Sequence, residues 1–356
     1  MNRAYNDNKE YTDALDGLRF SDEAKARMVQ NLLDAAGEGM PMQEKPRKRK
    51  FRLPRVAAVG VAAALVLGIG AGASGVLKTA GEAFSSVFGS TADTEIIDQI
   101  GRPIGASDTD NGVTVTADAI LFDGYNYMIT YSIAKDDGST FTVAPVEANP
   151  AVLDAFWDIW SSDIGLNTSG GHGGSWFIDD DPTDNAIQYV DTMSYDDMVK
   201  TGGTVKVTFG NLRNMDGTIL EGEWNLKFKL EAGDLSTQLP AGQSVKVGGK
   251  DATVEEIRLS PIGYRIVYTV SGTTAAAPAP SGQESAEQQQ AWEDLDINPV
   301  LHLADGTAID LSESGGSREN QGEQTRCIRS GVFNRIIPLE DVVSLTLGGV
   351  EIPVAQ

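Results

Sequence analysis

From about residue 92 onward, apolar and polar positions along the chain alternate with a period of two, the signature of strands with one buried face. Val113 to Leu121 and Asn126 to Ile133 read as two such strands, joined at Asp123-Gly124, a pair that favours a tight hairpin turn. Trp224, Leu226, Phe228 and Leu230 alternate with Asn225, Lys227 and Lys229, and Val205, Val207 and Phe209 repeat the pattern after Gly202-Gly203. Together these predict an antiparallel β-domain over residues 93–233. A second set of short β-branched runs follows over 234–356, separated by Gly248-Gly249, Pro261-Ile262-Gly263, Asp305-Gly306 and Gly348-Gly349. Closely spaced strands without helical periods between them indicate β-sandwiches. Thr114, Val115, Gly124, Tyr125, Thr130 and Ser132 recur 139 residues later as Thr253, Val254, Gly263, Tyr264, Thr269 and Ser271, so the simplest account is two related sandwiches in tandem.

Two stretches break the alternation. Residues 273–290 (TTAAAPAPSGQESAEQQQ) contain no large apolar side chain, cannot offset their ordering entropy, and predict a disordered insertion between strands. Pro145 to Tyr195 sets Phe156, Trp157, Trp160 and Trp176 among Gly, Asp and Asn. That stretch predicts an irregular insertion with a short helix near Val152 to Trp160, its aromatics covering an open sheet edge or forming a recognition surface.

Ahead of the β-region the pattern is different. Ala24, Met28 and Leu32, with Val29 and Leu33 beside them, follow Ser21 as an N-cap and precede Gly37 as a terminator, which predicts an amphipathic helix over about residues 22–36. A helix of about 15 residues is marginal alone in water, so its apolar face wants a partner. Two readings stay open, a solvated juxtamembrane tail or a docking helix for a cytoplasmic partner, and in the second Met28, Val29, Leu32 and Leu33 are the candidate partner-binding residues. Residues 56–77 carry no charge, and 22 residues span about 33 Å, enough for a bilayer core. The expectation is a single transmembrane helix. Gly60, Ala64, Gly68 and Gly72 follow a small-xxx-small spacing that would let two such helices form a homodimer.

Charge decides the orientation. Lys45, Arg47, Lys48, Arg49, Lys50, Arg52 and Arg55 immediately precede the uncharged run, and positive flanks stay in the cytoplasm. Residues 1–55 thus form a cytoplasmic tail, 78–92 a juxtamembrane linker, and the β-domains lie outside the cell membrane. A cleaved signal peptide ending near Ala71-Gly72-Ala73 is the competing topology, but its basic region would follow 44 organised residues. The net charge of −23 is +3 inside and −26 outside, which excludes direct nucleic-acid binding by the outer part.

Candidate chemistry is sparse. The single Cys, Cys327, excludes a disulfide framework and zinc-ribbon spacings, and predicts a small buried residue on a strand. His172 lies in Gly170-Gly171-His172-Gly173-Gly174, read as too flexible for a preorganised base, and His302 alternates along a strand. Asp179 to Asn185 is acidic enough to attract calcium but lacks the Gly and Glu of an EF-hand loop. Ser132 to Lys135 and Lys200 to Gly202 match the outer motifs of penicillin-binding enzymes without the middle one. No nucleophile, base and oxyanion donor assemble, so the expectation is a protein that is not an enzyme and needs no cofactor or metal.

Leu15-Asp16-Gly17-Leu18-Arg19-Phe20-Ser21 with its following helix, the basic flank, one span, and Gly112-Val113-Thr114-Val115 leading to Asp123-Gly124 and Tyr131 resemble the bacterial membrane proteins of domain-of-unknown-function family 4179. The resemblance implies immunoglobulin-like outer domains, the second matching residues 235–356. It also implies an anti-sigma-factor role, with the tail holding an extracytoplasmic-function sigma factor and the outer domains sensing an envelope ligand or protein. The other reading is a surface-binding or envelope-structural protein that one helix merely anchors.

Overall fold

The computed structural model describes residues 77–354 apart from 90–92, 148, 232, 275–289, 292 and 313. The inner helix, the basic flank, residues 56–76 and most of the low-complexity run lie outside the described residues. Among the described residues no helix is long and apolar enough to cross a membrane.

The stretch expected to be a linker holds a helix instead. In α1 (Ala80–Phe88) the Thr79 hydroxyl accepts from the Glu82 backbone N–H, and the Glu82 carboxylate accepts from that of Thr79. This capping box satisfies two donors that a helix start leaves open. Asp93 caps the following α2 (Thr94–Ile100) with its side chain alone, accepting from the backbone N–H groups of Glu95 and Ile96.

The rest is mainly β, and every pairing is antiparallel. The first body contains β1 (Arg102–Asp110), β2 (Val113–Phe122), β3 (Asn126–Lys135), β4 (Pro145–Val146), β5 (Asn149–Leu153), β6 (Phe156–Trp157) and β7 (Trp160–Ser162). It continues with β8 (Gly171–Ile178), β9 (Ala186–Tyr195), β10 (Thr204–Phe209), β11 (Leu212–Asn214), β12 (Gly217–Leu220) and β13 (Trp224–Lys229). The second body contains β14 (Thr237–Leu239), β15 (Ser244–Val247), β16 (Lys250–Leu259), β17 (Gly263–Ser271) and β18 (Val300–Leu303). It ends with β19 (Ala308–Asp310), β20 (Gly316–Gln321), β21 (Gln324–Val332), β22 (Val342–Leu347) and β23 (Val350–Pro353).

The two bodies share the order of their main strands, and the first adds a separate sheet, β6-β11-β12. The large sheet of the first runs β1-β2-β3-β9-β8 and then β5-β4; that of the second runs β14-β16-β17-β21-β20. Across each core lies a small sheet, β7-β10-β13 in the first and β18-β22-β23 in the second, the latter extended by β19. Register fixes the correspondence. A bulge sets Asp118 apart in β2 between the pairs Ala117↔Tyr131 and Ala119↔Thr130, and one sets Glu255 apart in β16 after Val254↔Tyr268. From Asp118 to Glu255 the repeat is 137 residues, not the 139 at which identities recur. A slip of two keeps every side chain on its own face, so identities at the wrong offset still carry the right burial pattern.

The helix expected near Val152 to Trp160 is replaced by β5, β6 and β7. Trp157 pairs with Leu212 and packs against Phe209 and Trp224, at ring separations of 4.8 and 5.8 Å, so tertiary burial decides its conformation. The long insertion also supplies β8 and β9, two strands of the main sheet. In the second core Cys327 is fully buried on β21, and burial pushes its thiol up to about 11.

A third cluster joins everything. Ala80, Ala83, Phe84 and Ile97 of the helices pack on Leu121, Met128 and Val190 from the outer face of the first sheet, and on Ile262 of the second body. The Gln188 amide donates to the Ala83 carbonyl at 2.7 Å. Beside this core, equivalent positions of the two hairpins meet. The Ser260 hydroxyl donates to Asp123 Oδ2 at 2.5 Å, and a Cβ on Gly263 would lie 3.0 Å from the Asn126 amide nitrogen. Arg265 donates to the Asp196 carbonyl at 2.7 Å and stacks over Tyr125. His172 sits on β8 rather than in a flexible loop, with Nε2 3.1 Å from the Ser330 carbonyl oxygen. A Cβ on Gly315 would stand 2.1 Å from its ring, so the bodies close only over glycine there.

Phe84→Ala should lower unfolding free energy by about 3–5 kcal/mol in denaturant titrations, because it empties a fully buried site. Met215→Ala, at an exposed residue, should leave stability within about 0.5 kcal/mol. Cys327 should resist thiol reagents in the native protein and react once it is unfolded.

Candidate functional site

The four apolar residues proposed for partner binding, Met28, Val29, Leu32 and Leu33, lie outside the described residues, as do the seven basic ones. Among the described residues no group of three His, Cys, Asp or Glu side chains is placed to hold a metal. A cleft beside a buried acid lies along β9, away from those residues in sequence.

On β9 the side chains that face the first core are Ile187, Tyr189, Asp191, Met193 and Tyr195, so a carboxylate interrupts an otherwise apolar row. Asp191 is 4% exposed. Its Oδ2 accepts from the Tyr127 hydroxyl at 2.8 Å, and among the described residues it forms no ion pair. Burial pushes its carboxyl up to about 7, while the Tyr127 hydrogen bond pulls the other way. The groups around it are Tyr127, Tyr131, Tyr189 and Tyr195, whose hydroxyls burial pushes up, so they are neutral.

The row opens into a cleft of about 300 Å³ between β8 and the strands β6 and β7. Phe156 and Trp160 stand at its rim, 43% and 39% exposed, and Trp157, Phe177 and Tyr189 form its wall. The wall is a run of tilted aromatic rings, with Trp157 5.5 Å from Phe177 and Phe177 4.7 Å from Tyr189. The indole N–H of Trp157 is buried and has no hydrogen-bond partner among the described residues. Opposite the rim the strand is bare: Gly173, Gly174 and Ser175 are exposed. A Cβ on Gly173 would lie 2.0 Å from the Thr192 carbonyl oxygen, so close strand approach excludes a side chain there and leaves the cleft open.

Of the aromatics noted in the sequence, the structure brings Phe156, Trp157 and Trp160 to the cleft and sends Trp176 to the outer face, against the third cluster. Asp191 was hidden because Pro145 to Tyr195 reads as irregular. The available signal was period-two spacing from Ile187 to Tyr195 with an acid in its apolar phase.

The repeat shows how unusual that acid is. Asp191 pairs with Ile129 in register, and the corresponding pair in the second body is Ile266 with Arg329. Arg329 is answered inside its own body by Asp296 at 2.9 Å and by the Ser312 carbonyl. The first body buries a charge-bearing group at the same position with no ionic partner among the described residues.

Residues 46–146 match the model of the domain of unknown function DUF4179. The matched segment begins in the basic flank and ends at β4, taking in both helices and the β2–β3 hairpin, whereas the cleft residues from Ala155 to Met193 fall beyond it. No curated protein matches the chain. Among solved structures, the crystal structure of the conserved domain protein from Bacillus anthracis matches with a TM-score of 0.46 and 18% identity, over 69% of this chain and 75% of that one.

The value of about 7 lies above the roughly 3.9 of an aspartate in an unfolded chain, so the stability tied to Asp191 is complete below about pH 4 and is lost as pH rises through 7. Relative to Asp191→Asn, the wild-type denaturation midpoint should therefore fall between pH 4 and pH 7. Tyr127→Phe removes a bond that favours the charged form and should move the Asp191 titration, followed by carboxyl carbon NMR, above 7.

Proposed function

We propose that this chain is a single-pass membrane signalling protein of the anti-sigma type. Its tail holds an extracytoplasmic-function sigma factor through Met28, Val29, Leu32 and Leu33. Its two β-bodies, read as immunoglobulin-like sandwiches, bind an envelope component on the far side of the membrane. The 22 uncharged residues behind seven cations support the topology, and the match of residues 46–146 supports the family resemblance.

The observation that carries the reading is the third cluster. The segment that follows the apolar stretch in sequence enters that core through Phe84, together with Leu121 of the first body and Ile262 of the second. A ligand that shifts either body acts on the chain at α1, where it leads back toward the apolar stretch. Fixed packing at this point suits signal transfer better than a tether would, because packed cores pass on strain that loose linkers absorb. The anchored surface-binding reading requires no such coupling.

Pull-down of the full-length chain from detergent-solubilised membranes should retain a sigma factor, and Met28→Asp with Leu32→Asp should lose it without altering the yield of protein. Equal recovery of a sigma factor by both forms, or by neither, leaves the surface-binding reading in its place.

A further inference from the structure

The geometry points to the cleft beside Asp191 as a binding site for an organic ammonium group, carried by a small amine or quaternary ammonium compound or by a lysine side chain of a peptide. This names the ligand class for the outer half of the proposed function and stands whether or not the tail binds a sigma factor.

Three observations converge on a cation. The first is an acceptor without an ionic counterpart. Asp191 is buried in a row of apolar side chains, and Tyr127 alone of the described residues donates to it. A carboxylate placed there costs free energy until a positive charge approaches it. In the second body Arg329, at the matching register position, finds Asp296 within its own fold. In the first body no described cation does so, and the cleft is the open route to the acid.

The second is the lining. Trp157, Trp160, Phe156, Phe177 and Tyr189 offer ring faces and edges around a space of about 300 Å³. Aromatic faces attract ammonium groups through their quadrupoles, and Trp does so most strongly. An apolar ligand alone would be served by the rings but would leave the carboxyl unanswered, whereas a sugar would use the carboxyl as a hydrogen-bond acceptor with no need for its charge. The third is the field: residues 78–356 carry a net −26, which raises the local concentration of cations around the opening.

Ligand binding favours the ionised acid, so affinity should rise with pH through the titration of Asp191. The titratable groups facing Asp191 from β3 and β9 are Tyr127, Tyr131, Tyr189 and Tyr195, which stay neutral through that range. Ser175 faces it from β8.

The test is titration calorimetry on the full-length protein in detergent, with choline, n-butylamine and Nα-acetyl-lysine amide as probes. The uncharged choline isostere 3,3-dimethylbutan-1-ol and N-acetylglucosamine serve as rivals. Binding of at least one ammonium probe is expected at least tenfold tighter than that of the isostere, with a stronger response at pH 8 than at pH 5. Asp191→Asn, close in shape, should weaken it at least tenfold and remove the pH dependence, and the rim variant Trp160→Ala should weaken it severalfold. Preference for choline and butylamine over the lysine derivative identifies a small amine as the source, and the reverse identifies a peptide. Equal binding of the isostere, tighter binding of the sugar, undiminished binding by Asp191→Asn, or no binding of any ammonium probe overturns the proposal. Attraction of cations to the acidic surface as a whole would survive Asp191→Asn and so falls among the overturning results.

Discussion

Burial of Phe84 and its neighbours in a core that belongs to neither β-body alone is the constraint from which the described structure follows. Each β-body encloses its own apolar centre, one built around Tyr131, Phe209 and Trp224, the other around Ile266, Tyr268 and Leu345. Neither centre determines where the other body lies. That is settled on the outer face of the first large sheet, where Leu121, Met128 and Val190 would otherwise meet water. The two helices pack on this face, and Ile262 of the second body joins them there. The seam is finished with polar groups that tolerate little error: Asp123 under Ser260, Arg265 against Asp196, and His172 over Gly315. Apolar area drives the contact, and the buried hydrogen bonds set its angle.

Much of the architecture was legible in the alternation of apolar and polar positions. The hairpin from Val113 to Lys135 and the strand from Trp224 to Lys229 follow from period two, because each has one wet face or one tight turn to mark it. Burial of Cys327 on a strand was legible for the same reason. The failures share a different cause. Helix α1 was missed because AGEAFSSVF is short and its apolar face has meaning only once the sheet beneath it exists. The strands from Asn149 to Ser162 resembled a helix because spacing in so short a run does not separate the two periods, and Trp157 is drawn into the core by Phe209 and Trp224. The cleft was half visible. Its aromatics were noted, but the acid they surround stood in a segment read as irregular, and its isolation emerges only beside Arg329.

That comparison also shows two bodies of like strand order differing at one position. Each presents an inner row on the corresponding strand. In the second, the odd polar residue is tied into the loop before β18 and becomes part of the scaffold. In the first, the glycines of β8 hold back the side chains that would have closed the site, and the polar residue stays near the opening. One frame thus carries a finished core and an unfinished one, and the proposed binding falls to the latter.

The meeting of Asp123 with Ser260 has a consequence for how these bodies choose one another. Because the two positions are equivalent in the repeat, pairing two copies of the first body in the same way would set aspartate against aspartate out of water, where like carboxylates are forced to share a proton. Two copies of the second body would set hydroxyl against hydroxyl and lose the carboxyl acceptor. Only the mixed pair supplies one donor and one carboxylate. A contact between equivalent positions is thereby made asymmetric in chemistry, which favours the first-with-second arrangement over self-pairing of either body between neighbouring molecules.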